Sequence, residues 1–179
     1  KIADLLREAE ASVRAVPDLD PLNDHPKIAA LREAHRTFGS SPKKYPPSIQ
    51  ALAKRVHKGG QLPSINPLVD LYNVVSLRYV VPAGGEDTDA CTGNIRLTYA
   101  NGGEEFCEIG SIENKPAEAG EVLYKDDAGA ICRKFNWREA DRTKLTPETK
   151  NAVLVIEALP PTTHEELLQA LEELHGYIE

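Results

Sequence analysis

The chain of 179 residues has no methionine, one tryptophan, three cysteines and few aromatics, about 6% of the whole, and no apolar run near the length of a bilayer span. Each scarcity closes off something. Without roughly 18 consecutive apolar residues there is no candidate membrane helix, and the opening Lys1-Ile2-Ala3-Asp4-Leu5-Leu6-Arg7 is too charged for a signal peptide. A cytoplasmic protein without a membrane partner is expected. Cys91, Cys107 and Cys132 form no CxxC pair and are odd in number, which predicts free thiols rather than a disulfide framework or a zinc site. His25, His35, His57, His164 and His175 show no HxH or HExxH spacing, so neither a metal nor another cofactor is expected. The missing initiator predicts that Lys1 is not the natural start and that an N-terminal piece is absent. No GxSxG elbow, P-loop, or GxGxxG after a strand occurs, nor any Cys or Ser with a motif-spaced His, so nucleophilic and dinucleotide chemistry lack support.

What is present describes a globular protein. With 41% hydrophobic and 27% charged residues, residues 1–179 read as a single domain with a real core. The net charge of −7 is unevenly spread. Residues 41–60 hold Lys43, Lys44, Lys54, Arg55 and Lys58 with no acid, for +5; residues 84–130 sum to −8, residues 131–150 to +3 and residues 151–179 to −6. A basic island can hold a polyanion even on an acidic protein, because phosphate contacts act within a Debye length of about 8 to 10 Å. The same cations near a helix end could instead complement its dipole.

Helices fill the first half. Ile2, Leu5, Leu6, Ala9 and Val13 share a face, and Pro17-Asp18-Leu19-Asp20-Pro21 should stop that helix. A second helix is predicted from His25-Pro26 to Phe38, with His25 and His35 on its surface, and a third from Ser48 to the break at Gly59-Gly60. The stretch from Asn66 to Gly85 is the centre of the pattern. Asn66-Pro67 reads as N-cap and first helical residue, followed by an apolar stripe of Leu68, Leu71 and Val75 that Asp70, Asn73 and Ser76 interrupt. Those polar groups either bond neighbouring backbone or line a cleft. After Gly84-Gly85 come short strand patterns at residues 94–99, 105–109, 121–124, 130–135 and 151–159. Beyond Pro160-Pro161, the run Thr162-Thr163-His164-Glu165-Glu166 offers capping boxes for a closing helix.

Two further places set polar residues among apolar ones. In Val153-Leu154-Val155-Ile156-Glu157, strand alternation puts Glu157 on the face of Val153 and Val155, where a carboxylate must be paired, used, or wetted at the strand end. In Cys132-Arg133-Lys134-Phe135-Asn136-Trp137-Arg138-Glu139 the sole Trp sits among bases, as a stacking platform for a nucleotide or as an amphipathic rim over the sheet.

The ordered set Lys44-Tyr45 with Pro47-Ser48-Ile49, Leu62-Pro63 with Ile65 through Asp70 and Tyr72-Asn73, Ser76-Leu77, Gly120-Glu121-Val122 with Tyr124 and Asp126, Cys132-Arg133 and Asn136-Trp137-Arg138-Glu139 resembles the B3/B4 domain. This is the editing domain of the phenylalanyl-tRNA synthetase β subunit, here in stand-alone form, and the likeness spans roughly residues 25 to 159. It implies an α+β fold, with N-terminal helices packed on a mixed or antiparallel β-sheet. It also implies hydrolysis of the ester of wrongly charged tRNA in trans, including tRNA carrying non-protein amino acids.

Carried over by motif, Asp70-Leu71-Tyr72-Asn73 is similar to the family's Val-x-Asn-Tyr, with the editing asparagine at Asn73. Thr149 to Glu157 is similar to its Thr-x-Asn strand motif, with the amino-acid-sensing glutamate at Glu157. The family histidine that follows the asparagine has no counterpart around Pro82-Ala83-Gly84, so selection of an aromatic amino acid does not carry over. The expectation is an aminoacyl-tRNA deacylase in which water attacks, assisted by Asn73, a backbone amide at Gly84 or Gly85, or a ribose hydroxyl. Substrate would meet Glu157, Asp70, Tyr72, Asn136, Trp137 and Arg138, and the tRNA would run over Lys43, Lys44, Lys54, Arg55, Lys58 and Arg133. Without a histidine beside them, the acids Glu157 and Asp70 would favour an arginine-like side chain such as canavanine. The alternatives are a non-catalytic tRNA-binding module that kept the fold, and a binder of the free amino acid.

Overall fold

The computed structural model describes residues 1–15 and 25–179; the proline-rich stop expected after the first helix lies outside them. The fold is α+β, five helices and six strands among the described residues. They divide into two compact units, one of Lys1–Arg32, Ser48–Gly84 and Leu154–Glu179, the other of Glu33–Pro47 and Gly85–Val153. No helix among the described residues is long and apolar enough to cross a membrane.

The first unit is helical. Helix α1 (Ile2–Ala15) buries Leu6, Ala9 and Val13 on one face and packs on α3 (Ser48–His57) and α4 (Pro67–Tyr79). Glu10, on the same face, is fully buried and usable there because Arg7 and Arg14 flank it and the Leu62 amide donates to it at 2.7 Å. Helix α4 opens as the sequence dictates: the Asn66 side chain accepts from the Val69 amide at 3.0 Å and Pro67 occupies the first turn, where no donor is needed. Leu71, Val74, Val75 and Leu77 are nearly inaccessible, each worth about 1.5–3 kcal/mol in burial. The helix ends at Val80, whose φ of 55° is a left-handed conformation rare for a β-branched residue; Ser76 secures that end by accepting the Val81 amide on its carbonyl and donating its hydroxyl to the Val81 carbonyl at 2.6 Å. Helix α5 (His164–Ile178), which packs on α4, starts with the capping box that Thr163 and Glu166 form. Helix α2 (Pro26–Thr37) contributes to both units.

The second unit is a four-stranded antiparallel sheet in the order β2 (Arg96–Tyr99), β3 (Val122–Lys125), β4 (Ala130–Arg133), β5 (Arg138–Glu139). Its register sets Tyr99 opposite Val122 and Arg133 opposite Arg138. Ala100, Ala117, Ala130 and Ala140 fill its core around Phe106 and Leu123. Separately, β1 (Ala83–Asp87) pairs with β6 (Ala152–Ile156).

Three expectations change. The pattern at residues 105–109 is no strand: the Phe106 amide goes to the Asn114 side chain and the Phe106 carbonyl to the Lys115 amide, so its backbone is spent on an irregular loop. The strands begin earlier than the pattern from residue 94 suggested: β1 runs through Gly84-Gly85, because β6 supplies it with a partner. His35 is not on a helix surface but fully buried. The three cysteines are free thiols.

Candidate functional site

In the helical unit, Asn73 is half-buried on α4 and its amide has no hydrogen-bond partner among the described residues, on a helix whose other polar groups are engaged. Asp70 is one of those engaged groups. It is 3% exposed and accepts from the Ser64 hydroxyl and, at 2.9 Å, from the Ile65 amide, so the carboxylate braces the loop that leads into its own helix. Tyr72 is buried.

Glu157 follows β6 and is half-buried; its amide donates to the Pro82 carbonyl at 3.0 Å, which brings it alongside the segment that runs from the strained Val80 to Gly84. Lys54, Arg55 and Lys58 lie exposed at the end of α3 and pair with no carboxylate among the described residues. The carbonyls at that helix end are met elsewhere. The amides of Lys58, Gly59 and Gly60 take the carbonyls of Lys54, Val56 and Arg55, and Arg14 adds bonds to the Val56 carbonyl at 3.3 Å and the Gly60 carbonyl at 3.0 Å, so the three exposed cations are not what caps the helix.

In the sheet unit, Lys43, Lys44 and Arg138 are exposed, and no carboxylate among the described residues forms an ion pair with them. Arg133 is different. It is 5% exposed, its guanidinium bonds both oxygens of Glu121 at 2.7 and 2.8 Å and the Lys115 carbonyl, and it covers the Phe106 ring. Such a fork has no face left for a phosphate. The Glu121 carboxyl accordingly stands below the usual range despite the upward push of burial, because Arg133 and Lys134 bond it. Asn136 is 6% exposed, with its side-chain oxygen 3.1 Å from His35 Nε2, while Trp137 remains half-buried. Gly85 is buried in β1.

Sequence reasoning missed His35 and Glu86, and the contact that Tyr45 makes with Trp137. His35 bridges the Tyr45 carbonyl through Nδ1 at 3.2 Å and Asn136 through Nε2. Tyr45 meets Trp137 edge to face, with ring centroids 4.7 Å apart at 78°. Glu86, next to Gly85, is 7% exposed, and its Oε2 has no hydrogen-bond partner. Burial, and then the charge of Glu139, pushes its carboxyl up to about 9. Position along the helix signals His35 only weakly, and nothing in the sequence signals the burial of Glu86.

A family model described as the B3/4 domain matches residues 30–173. An N-terminal fragment of the phenylalanyl-tRNA synthetase β subunit from Pyrococcus horikoshii has a similar structure, with a TM-score of 0.51 and 17% sequence identity over 62% of this chain. The chain spans 38% of that fragment, and at this identity the likeness speaks for the fold alone. No curated protein matches the sequence.

Proposed function

Because the chain belongs to the B3/4 domain family, we propose that it is a trans-editing deacylase, which hydrolyses the ester between tRNA and a wrongly attached amino acid. The observation that carries this reading is the unpartnered, half-buried amide of Asn73 on the most deeply buried helix of its unit. Neighbouring groups among the described residues do not take this amide, so it can bond water or a ligand. The similar structure is a fragment of a tRNA synthetase subunit, which is consistent with a tRNA substrate.

In this mechanism a water oxygen attacks the ester carbonyl and the bond to the tRNA ribose oxygen breaks. The water's proton passes to that leaving oxygen. Asn73 orients the water or donates to the oxyanion, and the amides of Gly84 or Gly85 offer further donors. Glu157, alongside Pro82, reads the amino acid. Asp70 contributes by holding the Ser64-Ile65 loop against the start of the same helix. Lys43, Lys44, Lys54, Arg55 and Lys58, exposed and in no ion pair among the described residues, suit the phosphates, while Tyr72 is buried on the same helix as Asn73. Asn136, Trp137 and Arg138 belong to the tRNA side of the substrate.

The missing histidine and the carboxylate at Glu157 point to a cationic, arginine-like side chain such as canavanine. A panel of mischarged tRNAs tests this: canavanyl-tRNA should be deacylated faster than tyrosyl-tRNA, and Glu157→Gln should lose about 1.5–3 kcal/mol of that preference with the fold intact. Equal hydrolysis of both substrates would overturn the specificity. The lack of the histidine also favours a second reading, a tRNA-binding module without hydrolysis, and binding of mischarged tRNA with no turnover on the whole panel would establish it.

A further inference from the structure

Tyr45 and Trp137 are both half-buried, in edge-to-face contact, and ringed by cations. Lys44 Nζ lies 4.9 Å and Lys134 Nζ 5.0 Å from the Tyr45 ring centroid. We propose that Tyr45 and Trp137 form a stacking site for an unpaired nucleobase at the single-stranded end of an RNA, with Lys43, Lys44 and Arg138 meeting its phosphates. This rests on the tRNA reading above and assigns the base, rather than the amino acid, to this part of the chain.

The local backbone is held at a cost. Trp137 closes the loop between β4 and β5, in which Lys134 and Phe135 both have positive φ, 51° and 66°. Non-glycine residues in that region cost of order 1–3 kcal/mol each and persist only where their surroundings determine them. Here those surroundings are specific. The Lys134 ammonium, 3% exposed, is held by Glu118 and Glu121, and the Phe135 ring lies 6.2 Å from that of His35. His35 then ties the loop's Asn136 to the Tyr45 carbonyl, so two segments distant in sequence are fixed with their rings together.

A platform set in advance needs no ordering when it binds. The chemistry around it selects the ligand. Lys134 is spent on acids, but Lys43, Lys44 and Arg138 are exposed and unpaired with carboxylates among the described residues. Aromatic rings beside exposed cations suit a base with its phosphates. A duplex keeps its base faces covered, so the base has to be unpaired.

Trp137 is the only tryptophan in the chain, and its fluorescence therefore reports this position alone. The full chain is titrated with an uncharged RNA hairpin carrying a short single-stranded 3′ overhang, with the blunt hairpin as control. The expected result is saturable quenching, binding about tenfold tighter with the overhang than without it, and weakening as salt rises. By anisotropy of labelled RNA, Trp137→Ala and Tyr45→Ala should each lose about tenfold in affinity, whereas Trp137→Phe should bind nearly as the wild type. The wild-type quenching needs no variant, so a variant that fails to fold does not shelter the idea. Binding without any change in tryptophan fluorescence, or equal affinity for blunt and overhanging RNA, would overturn it. Because the RNA is uncharged, the two readings separate: quenching without hydrolysis of any mischarged tRNA rejects the deacylase and keeps the platform, and hydrolysis without quenching rejects the platform alone.

Discussion

Two acids in the sheet unit meet burial in opposite ways. At the turn between β3 and β4, Asp126 is fully buried and accepts from the amides of Thr92, Ala128 and Gly129 at 2.7 to 3.1 Å, and from both terminal nitrogens of Arg142. Burial alone would raise its pKa. The Arg142 bonds and the amides outweigh that and hold the carboxyl down at about 2. On β1, Glu86 has nearly the same burial but one oxygen without a partner and Glu139 as a like charge, and it stands at about 9. The difference teaches that donors, not depth, decide whether a buried acid is ionised.

The largest break in this comparison removes the satisfied acid. Asp126→Ala would leave Arg142 without its partner and three amides without an acceptor in a closed turn. The expected loss is about 3–5 kcal/mol in urea unfolding at pH 7. A change under 1 kcal/mol would mean that solvent replaces the carboxylate, contrary to its zero exposure.

Changing the unsatisfied acid should act in the other direction. Glu86 keeps its proton in the folded state up to about pH 9, against an ordinary 4.5, so between those values the folded chain binds more protons than the unfolded one. Stability then falls as pH rises through that window. Asp126 has the opposite sign: its contribution is complete above about pH 4 and is lost as pH falls toward 2. Glu86→Gln cannot ionise, so it should match the wild type near pH 5 and exceed it increasingly above that, by up to about 1.4 kcal/mol for each pH unit climbed within the window. Urea midpoints across pH measure this, and a variant that loses stability with pH as steeply as the wild type would sink the assignment.

The comparison also marks what can be read from sequence. Helix starts were legible, because Asn66-Pro67 and Thr163 through Glu166 carry their capping chemistry within a few residues. Strands were legible where apolar residues alternate beside a local partner, as in β3 and β4, and illegible where pairing comes from far along the chain, as β6 does for the Gly-Gly strand β1. The resemblance pointed to Asn73 and Glu157 from residue types alone. Burial of Glu86, Glu10 and His35 depends on what folds over them, and the left-handed Lys134 and Phe135 have no residue-type signal at all. Arg133 looked like a phosphate ligand for the same reason: the sequence displays a base, and only the fold supplies Glu121 as its partner.

The smallest expected effect tests whether the two acids sense one another. Asp126 lies close enough to raise the Glu86 pKa, and Arg142 close enough to lower it. With Asp126→Asn, a negative charge near Glu86 disappears and Arg142 loses the carboxylate that neutralised it. Both changes favour ionised Glu86. Glu86 should then titrate lower, and the gain from Glu86→Gln near pH 9 should shrink in the Asp126→Asn background relative to the wild type. Neighbouring groups with shared partners couple by about 0.5–3 kcal/mol, and the lower part of that range is expected, because Arg142 is one-third exposed and solvent screens it. Four urea midpoints at one pH give the cycle. Strict additivity would show that the two acids are independent, and that burial and Glu139 alone account for Glu86; a larger gain in the Asp126→Asn background would show that the freed Arg142 turns away from Glu86 rather than toward it.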